Sequence, residues 1–211
     1  MKSLQLLGIV GFAASMMGCV PDWARENETN LLMDISEITT FAGGAGTGTE
    51  GAILMSDVLP VFNDDAILTV ILFRKNPTVA GSTPLEDVRL ESYQVRYFRT
   101  DGHSVEGVDV PYRITGALNT TFIHAPGAIA EATAEAVITV VRHQAKEEPP
   151  LVNLRGFTVN DATGIFLSSG QGIITTVAEV TIYARQVTTR EPLTATGRFQ
   201  VTFANFADSA Q

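Results

Sequence analysis

Residues 173–206 read IITTVAEVTIYARQVTTREPLTATGRFQVTFANF and contain two runs in which apolar and polar side chains alternate. Alternation with a period of two places every second side chain on the same face of a β-strand. One face is shared by Ala178, Val180, Ile182 and Ala184 in the first run, and by Phe199, Val201 and Phe203 in the second. The polar segment Thr188–Pro192 between them has the length of a hairpin loop. Residues 173–186 and 193–206 are therefore predicted to form a pair of antiparallel strands.

Other segments carry the same kind of strand signal. The nearly continuous apolar run of residues 66–73 is typical of a strand buried on both faces. Residues 88–98 alternate but change parity near Glu91-Ser92, which predicts a β-bulge. Shorter strands are predicted over residues 107–115, 118–124 and 136–142. Residues 128–136, rich in Ala and Glu, predict a loop or short helical turn that leads into the last of these.

These segments together predict an all-β fold. Seven or eight short strands separated by turns are typical of an Ig-like antiparallel β-sandwich, which we place over residues 52–211. The segment Lys146–Pro150, KEEPP, is interpreted as a polar stop that ends one strand. The only tryptophan, Trp23, lies outside the predicted domain, so the Cys…Trp…Cys spacing of antibody domains is absent.

The N-terminal residues have the features of an export signal. Met1-Lys2-Ser3 is followed by an apolar run over residues 4–14, which is too short for a membrane-spanning helix. Gly18-Cys19 resembles the lipobox of bacterial lipoproteins, in which the cysteine is acylated and the chain is cut before it. We therefore predict a lipoprotein signal peptide over residues 1–18 and lipidation of Cys19. An ordinary signal peptide with a chance cysteine is the alternative.

The predicted lipidation implies a location for the protein. Acyl chains on Cys19 would anchor the exported protein in a lipid bilayer of the bacterial cell envelope. Val20 follows the cysteine, whereas Asp at that position signals retention in the inner membrane of enteric bacteria, so we expect the outer membrane. Which face of the membrane the protein occupies stays open.

Residues 19–51 differ in composition from the predicted domain. Glycines concentrate between Gly43 and Gly51, and glycine-rich sequence is typical of a flexible linker. We therefore predict that this segment is a tether between the lipid anchor and the sandwich. Within it, Leu31, Ile35 and Ile38 have the spacing of one helix face, so a short amphipathic helix over residues 30–38 is an open alternative.

Length, charge and cysteine content exclude several function classes. The chain has 211 residues and a formal net charge of −9, with 14 Lys+Arg against 23 Asp+Glu. A protein of this charge without a basic cluster repels nucleic acid, so we expect no nucleic-acid partner. A single cysteine excludes a disulfide framework. His103, His124 and His143 are too far apart in sequence to predict a zinc site.

Several short patterns match functional motifs only in part. Gly46–Gly51, GTGTEG, fits the dinucleotide fingerprint literally, but no βαβ unit surrounds it, so we interpret it as a hinge. Polar residues in or beside predicted turns either form turn hydrogen bonds or bind calcium: Asn63, Asp64, Asp65, Asp101, Asp109 and Asp161. The nucleophile elbow G-x-S-x-G is absent from the sequence, so no catalytic residue is assigned.

Four aromatic residues lie on or near the predicted strands: Tyr93, Tyr97, Phe98 and Tyr112. They either form an exposed strip that suits a carbohydrate or a protein partner, or fill the core of the sandwich. The alternation of residues 88–98 does not decide between these two interpretations.

Three segments, Arg99–Gly102, Gly107–Pro111 and Ala178–Tyr183, resemble uncharacterised bacterial lipoproteins that carry one Ig-like sandwich. The resemblance covers about residues 52–206 together with the lipobox, and it implies no activity, cofactor, metal or catalytic residue. We therefore expect a non-enzymatic, membrane-anchored lipoprotein that binds another envelope protein, with exposed sheet edges that engage the partner by strand addition. An apolar patch on a sheet face would favour a protein partner. The alternative is a carbohydrate-binding module of the cell surface.

Overall fold

The computed structural model describes residues 31–42, 49–50, 53–59, 62–75, 87–122, 131–155, 157–160, 165–168 and 172–206. The strands in these residues are β1 (Leu31–Phe41), β2 (Thr49–Glu50), β3 (Ile53–Asp57), β4 (Asp64–Arg74), β5 (Val88–Phe98), β6 (Ile114–Phe122), β7 (Glu131–Val141), β8 (Phe157–Asn160), β9 (Ile165–Ser168), β10 (Ile174–Gln186) and β11 (Pro192–Ala204). A short helix α1 (His143–Glu147) and a 3-10 helix (Leu151–Arg155) follow β7. None of the helices in the described residues is long and apolar enough to cross a membrane.

The strands form two sheets that pack face to face as an all-β sandwich. Sheet A has the order β2-β1-β4-β7, and sheet B has the order β3-β11-β10-β5-β6. Neighbouring strands are antiparallel, except that β3 runs parallel to β11. Strands β8 and β9 pair separately as a hairpin. The all-β prediction is therefore confirmed.

The alternating sequences bury one face of each central strand. In β10 and β11 the side chains predicted to share a face are buried. The predicted loop Thr188–Pro192 lies between the two strands, except that Pro192 is the first residue of β11. In β4 one face is fully buried, whereas Ile67, Thr69, Ile71 and Phe73 on the other are half-buried. The prediction of a strand buried on both faces is wrong for β4: sheet B covers one side of sheet A, and no described strand packs on the other side.

A bulge in β7 provides the contact through which Tyr97 of β5 joins the two sheets. Asp64 pairs with Val141 and Asp65 with Thr139, so Val140 is the extra residue. The Tyr97 hydroxyl donates a hydrogen bond to the Val140 carbonyl. This hydrogen bond satisfies a backbone carbonyl at the position where the bulge interrupts the hydrogen-bond ladder between β4 and β7.

Residues 31–41, which the sequence placed in the tether or in a helix, form strand β1 of sheet A. A register shift between Ile35 and Glu37 changes which side chains point inward. Ile35 and Ile38 therefore both pack on the core although they are three residues apart. A strand with a bulge has produced the spacing of an amphipathic helix, so the helix prediction is wrong.

Three other local predictions are corrected by the structure. Residues 107–113 are turn and loop, and the two shorter strands predicted over 107–115 and 118–124 are replaced by the single strand β6. Strand β7 begins at Glu131, so helix propensity in this Ala- and Glu-rich segment is overridden by pairing with β4. The predicted polar stop at Lys146 lies partly in α1, which buries the lysine. The bulge predicted near Glu91-Ser92 is confirmed by register shifts at that position.

Candidate functional site

The outward-facing side chains of β1, β4 and β7 form a surface that we name the A face. Its apolar members are Leu32, Phe41, Ile67, Ile71, Phe73 and Val137, and its polar members are Asp34, Glu37, Thr39, Asp65, Thr69, Thr133, Glu135 and Thr139. Register places these side chains side by side, for example Thr39, Ile67 and Val137 in one row. Leu32 is 45% exposed and Val137 is 64% exposed. The A face therefore combines exposed and half-buried apolar side chains with polar ones.

The central strand β4 contributes Ile67, Ile71 and Phe73, which we name the apolar centre of the A face and which Thr69 interrupts. Carboxylates of β1 and β7 lie beside this strand. Glu37 and Glu135 lie on either side of Thr69, and Asp34 lies beside Ile71. The outward-facing positions of these three strands, as far as they are described, hold no lysine or arginine. Neither glutamate forms an ion pair with a described residue. The negative charge of this surface is therefore not neutralised within the described part of the chain.

The opposite surface, which we name the B face, consists of the outward-facing side chains of β5, β10 and β11. Most are threonine, glutamine or arginine: Arg89, Gln94, Arg96, Thr175, Thr181, Arg185, Thr194, Thr196, Arg198, Gln200 and Thr202. Arg198 contacts Glu179 at 2.6 Å, directly across β10 and β11. Arg185 contacts Glu91 at 3.3 Å. The glutamates of the B face are therefore matched by arginines.

A loop with exposed apolar side chains lies at one end of the sandwich. Val105, Val108 and Tyr112 are exposed, and Tyr112 has 56% of its surface open to solvent. Several backbone hydrogen bonds close the loop, including Val108 N to the Val105 carbonyl and Gly107 N to the Val110 carbonyl. Gly107 has φ +75°, and a Cβ there would lie 2.3 Å from the Tyr112 hydroxyl. Glycine is therefore required beneath the tyrosine ring.

Tyr112 also lines a cleft of about 430 Å³. The other polar side chains around this cleft are Arg113, Arg142, Gln144 and Glu148. Arg113 Nε donates to Glu106 at 2.9 Å, which fixes one wall. An aromatic ring with polar groups around a concave surface suits a small polar ligand such as a sugar.

The remaining aromatic residues do not form an exposed strip. Tyr93 and Tyr97 are buried, and burial, together with the nearby Asp64 carboxylate, raises the pKa of Tyr97. Tyr93 accepts a hydrogen bond from Thr139 N at 3.2 Å, so both rings join the two sheets. Phe98 is half-buried, with the Arg198 guanidinium 5.6 Å from its ring centre. Tyr112 is the one member of the predicted strip that stands in solvent.

The turn carboxylates form local hydrogen bonds. Asp101 accepts hydrogen bonds from His103 N at 3.1 Å and from the Arg99 side chain. These hydrogen bonds hold the pKa of Asp101 below its usual value, and the bond from Arg99 has the larger effect. Asp109 accepts from Val105 N at 3.0 Å. His143 contacts Asn63. Within the described ranges no three His, Cys, Asp or Glu side chains are grouped so as to hold a metal ion.

A charged pair is buried between the sheets. Lys146 of α1 is 1% exposed, and its Nζ lies 3.1 Å from Oδ1 and 3.0 Å from Oδ2 of Asp64. Ser56 of β3 donates to Asp64 Oδ2 at 2.6 Å. Ser56 and Asp64 are fully buried. These three residues are the most polar cluster of the described interior.

The sequence did not predict this cluster. Asp64 was interpreted as a turn or calcium-binding residue and Lys146 as part of a polar stop, whereas both are core residues. The one available signal was that Asp64 lies two residues before the nearly continuous apolar run of residues 66–73. Its partner is 82 positions away, so local pattern could not connect the two.

Some predicted positions lie outside the described residues. These are Cys19 with the signal peptide, His124, Asp161 and most of the glycine-rich pattern at 46–51, of which Thr49 and Glu50 form β2.

Comparison with known proteins assigns no family: no protein-family model matches the chain, and no curated protein is similar to it. The functional argument therefore depends on the surfaces described above.

Proposed function

We propose that this protein is a non-enzymatic, membrane-anchored lipoprotein of the bacterial cell envelope that binds another envelope protein through its A face. The single observation that carries this proposal is the group of exposed and half-buried apolar side chains on the outside of β1, β4 and β7, with carboxylates on both sides of β4. An exposed apolar patch with a polar border is typical of a protein interface. The partner is expected to present apolar side chains bordered by lysine or arginine.

Charge supports this choice of partner. Asp34, Glu37 and Glu135 lie around the apolar centre, and the whole chain has a formal charge of −9. A basic partner surface would be attracted over the encounter distance and would be fixed in register by the paired charges. An acidic partner would be repelled by the same groups. The A face is thus selective for one class of protein surface.

The interior supports a non-enzymatic function. Ser56, Asp64 and Lys146 are reactive side chains that lie together in the described interior, and all three are closed off from solvent. A substrate in solution has no access to a group with 0–1% exposure. The cluster therefore serves the protein's own structure.

The anchor and the A face are close along the chain. Cys19 precedes β1, the first strand of the A face, by 12 residues. An extended segment of that length spans about 40 Å, at ~3.3 Å per residue. We propose that Cys19 carries the lipid and that the A face operates within this distance of the membrane. Replacing Cys19 by alanine should move the protein from the membrane pellet to the soluble fraction.

The order of the strands supports the Ig-like version of the sandwich. The order β1-β4-β7 corresponds to strands A, B and E of an Ig domain, and β11-β10-β5-β6 corresponds to G, F, C and C′. We therefore retain Ig-like topology as part of the proposal. In such domains the outer sheet faces and the end loops are the surfaces that bind partners.

Site-specific photocrosslinking in the native cells tests the protein interaction. A photoreactive residue at Thr133 lies on the A face, and one at Thr194 lies on the B face as a matched exposed threonine. We expect one protein adduct from position 133 and none from position 194. Equal labelling from both positions, or none from either, would exclude the A face as the interface.

A carbohydrate-binding function is the second candidate, and the Tyr112 cleft is the observation that favours it. Its ring and the polar groups of Arg113, Arg142 and Gln144 face one concave space. A glycan array probed with the purified protein and with Tyr112→Ala tests this function. Binding that depends on Tyr112 would support it, and an unchanged or empty array would reject it.

A further inference from the structure

The buried cluster brings an amine and a carboxyl group into reacting position. Lys146 Nζ lies 3.0 Å and 3.1 Å from the two oxygens of the Asp64 carboxylate, and Cγ is the carbon bonded to both of these oxygens. Both side chains are held by separate elements, the start of β4 and the helix α1. Groups fixed at such a distance react as if at very high concentration.

The pair is closed off from water. An ammonium and a carboxylate lose their hydration in a closed interior, and the loss is only partly offset by their attraction. Transfer of one proton from nitrogen to oxygen removes both charges. The result is a neutral amine, which is nucleophilic, beside a carboxylic acid, which is electrophilic at carbon.

We propose that Lys146 and Asp64 form an intramolecular amide bond between Nζ and Cγ. The neutral amine attacks Cγ, which forms the C–N bond and places negative charge on Oδ2. Ser56 already donates to Oδ2 at 2.6 Å and stabilises this charge. Oδ1 carries the first transferred proton and takes a second from the attacking nitrogen. The C–Oδ1 bond then breaks and one water molecule leaves, so no oxidant or co-reactant is needed.

The amide would connect distant parts of the fold. It closes the chain between positions 64 and 146, a loop that contains β5, β6 and β7. A crosslink of this kind restricts the unfolded chain as a disulfide does. The only cysteine of the chain is Cys19, so a disulfide within the sandwich is not available. The amide supplies the same constraint without dependence on redox conditions.

Peptide mapping of the purified full chain tests the bond directly. Trypsin cleaves after Lys and Arg, so Asp64 belongs to peptide 26–74 and Lys146 separates peptides 143–146 and 147–155. Because trypsin cannot cleave after an acylated lysine, we expect peptide 26–74 joined to 143–155. Its mass should equal the sum of the two peptides minus one water. Recovery of only linear 26–74, 143–146 and 147–155 would overturn the proposal.

Four variants separate the amide from a simple ion pair. Lys146→Arg keeps the positive charge and Asp64→Ala removes the carboxyl group, so both should lose the joined peptide. Asp64→Asn should still form it, with ammonia as the leaving group, and should give the wild-type joined mass. Ser56→Ala should slow its accumulation about 100-fold, as expected for loss of one hydrogen-bond donor to the developing charge. A joined peptide that persists in Lys146→Arg would place the crosslink elsewhere and overturn the assignment. If a variant does not fold, the wild-type map alone decides.

Discussion

The outer faces of the two sheets differ in whether their charged side chains form ion pairs. The B face pairs Glu179 with Arg198 and Glu91 with Arg185, and its other side chains are largely threonine and glutamine. The A face has a half-buried apolar centre and carboxylates such as Glu37 and Glu135, which have no ion-pair partner among the described residues. Both faces belong to one sandwich and share one core.

This difference indicates which face has a function beyond folding. A solvent-exposed sheet face needs only polar side chains, and most outward side chains of the B face are polar, although Tyr183 is exposed there. Exposed apolar groups and unmatched charges add nothing to the stability of the free protein. On the A face the apolar side chains lie beside carboxylates that have no ion-pair partner among the described residues, whereas the glutamates of the B face are paired with arginines. This excess of negative charge beside apolar groups is the basis for expecting that the A face is complementary to another surface.

Introducing charge beside the apolar centre, in the row of Ile67, should give the largest effect on binding. Val137→Glu places a carboxylate at an exposed position, and we expect the affinity for the crosslinked partner to fall about 30-fold, or ~2 kcal/mol. The unfolding free energy should change by less than about 0.5 kcal/mol, because the side chain is on the surface. Titration of the purified partner measures the affinity.

The control for this variant is Tyr183→Glu, which changes an exposed apolar residue on the B face. Its affinity for the partner should stay within about twofold of wild type, as expected for a residue outside the interface. A loss of equal size in both variants would mean that the A face has no special role.

Removing the unmatched carboxylates should give a smaller, salt-dependent effect. The double variant Glu37→Gln with Glu135→Gln should weaken binding about 10-fold at low ionic strength, mainly through slower association. The difference should shrink as salt increases, because exposed charges are screened. Association rates measured over a salt series test this expectation.

Glu179→Gln on the B face is the matched control, and its association rate should follow wild type at every salt concentration. A double variant on the A face that binds as wild type in low salt would show that its carboxylates do not select the partner.

Sequence predicted the strands whose alternation is uninterrupted. Strands β10 and β11 keep period two over their whole length, and their buried faces were identified residue by residue. Strand β1 was missed because its bulge between Ile35 and Glu37 produces helical spacing. The first half of β7 was missed because alanine and glutamate favour helices locally, while pairing with β4 decides the structure.

The candidate surface could not be predicted, for a different reason. Glu37, Thr69 and Glu135 become neighbours only when β1, β4 and β7 pair. Each lies in a different strand, and none carries a local signal for binding. The same holds for Asp64 and Lys146, whose contact depends on the fold. Long-range pairing creates both sites, and a single sequence does not contain that information in a local form.

Introducing a lysine on the A face tests whether its carboxylates lack ion-pair partners in the free protein. Thr69→Lys places an ammonium between Glu37 and Glu135, its neighbours across two strands. Cross-strand charge pairs contribute roughly 0.2–1 kcal/mol each, so we expect the unfolding free energy to rise by about 0.5 kcal/mol. Partner binding should fall, because the carboxylates are then already neutralised. Urea denaturation measures the stability, and Thr69→Gln is the uncharged control. A stability equal to that of Thr69→Gln would contradict the expectation.

The smallest expected effect concerns the ion pair of the B face. A double-mutant cycle with Glu179→Gln and Arg198→Gln should give a coupling of about 0.3 kcal/mol, because exposed pairs are weakened by solvent and by side-chain entropy. Arg198 also lies over Phe98, and this contact is lost in Arg198→Gln whether or not Glu179 is present. The contact with Phe98 therefore cancels in the cycle and does not contribute to the coupling. Urea denaturation at low and high salt measures the four proteins. A coupling near zero at low salt would mean that the B face is merely polar, and the contrast with the A face would then depend on its apolar centre alone.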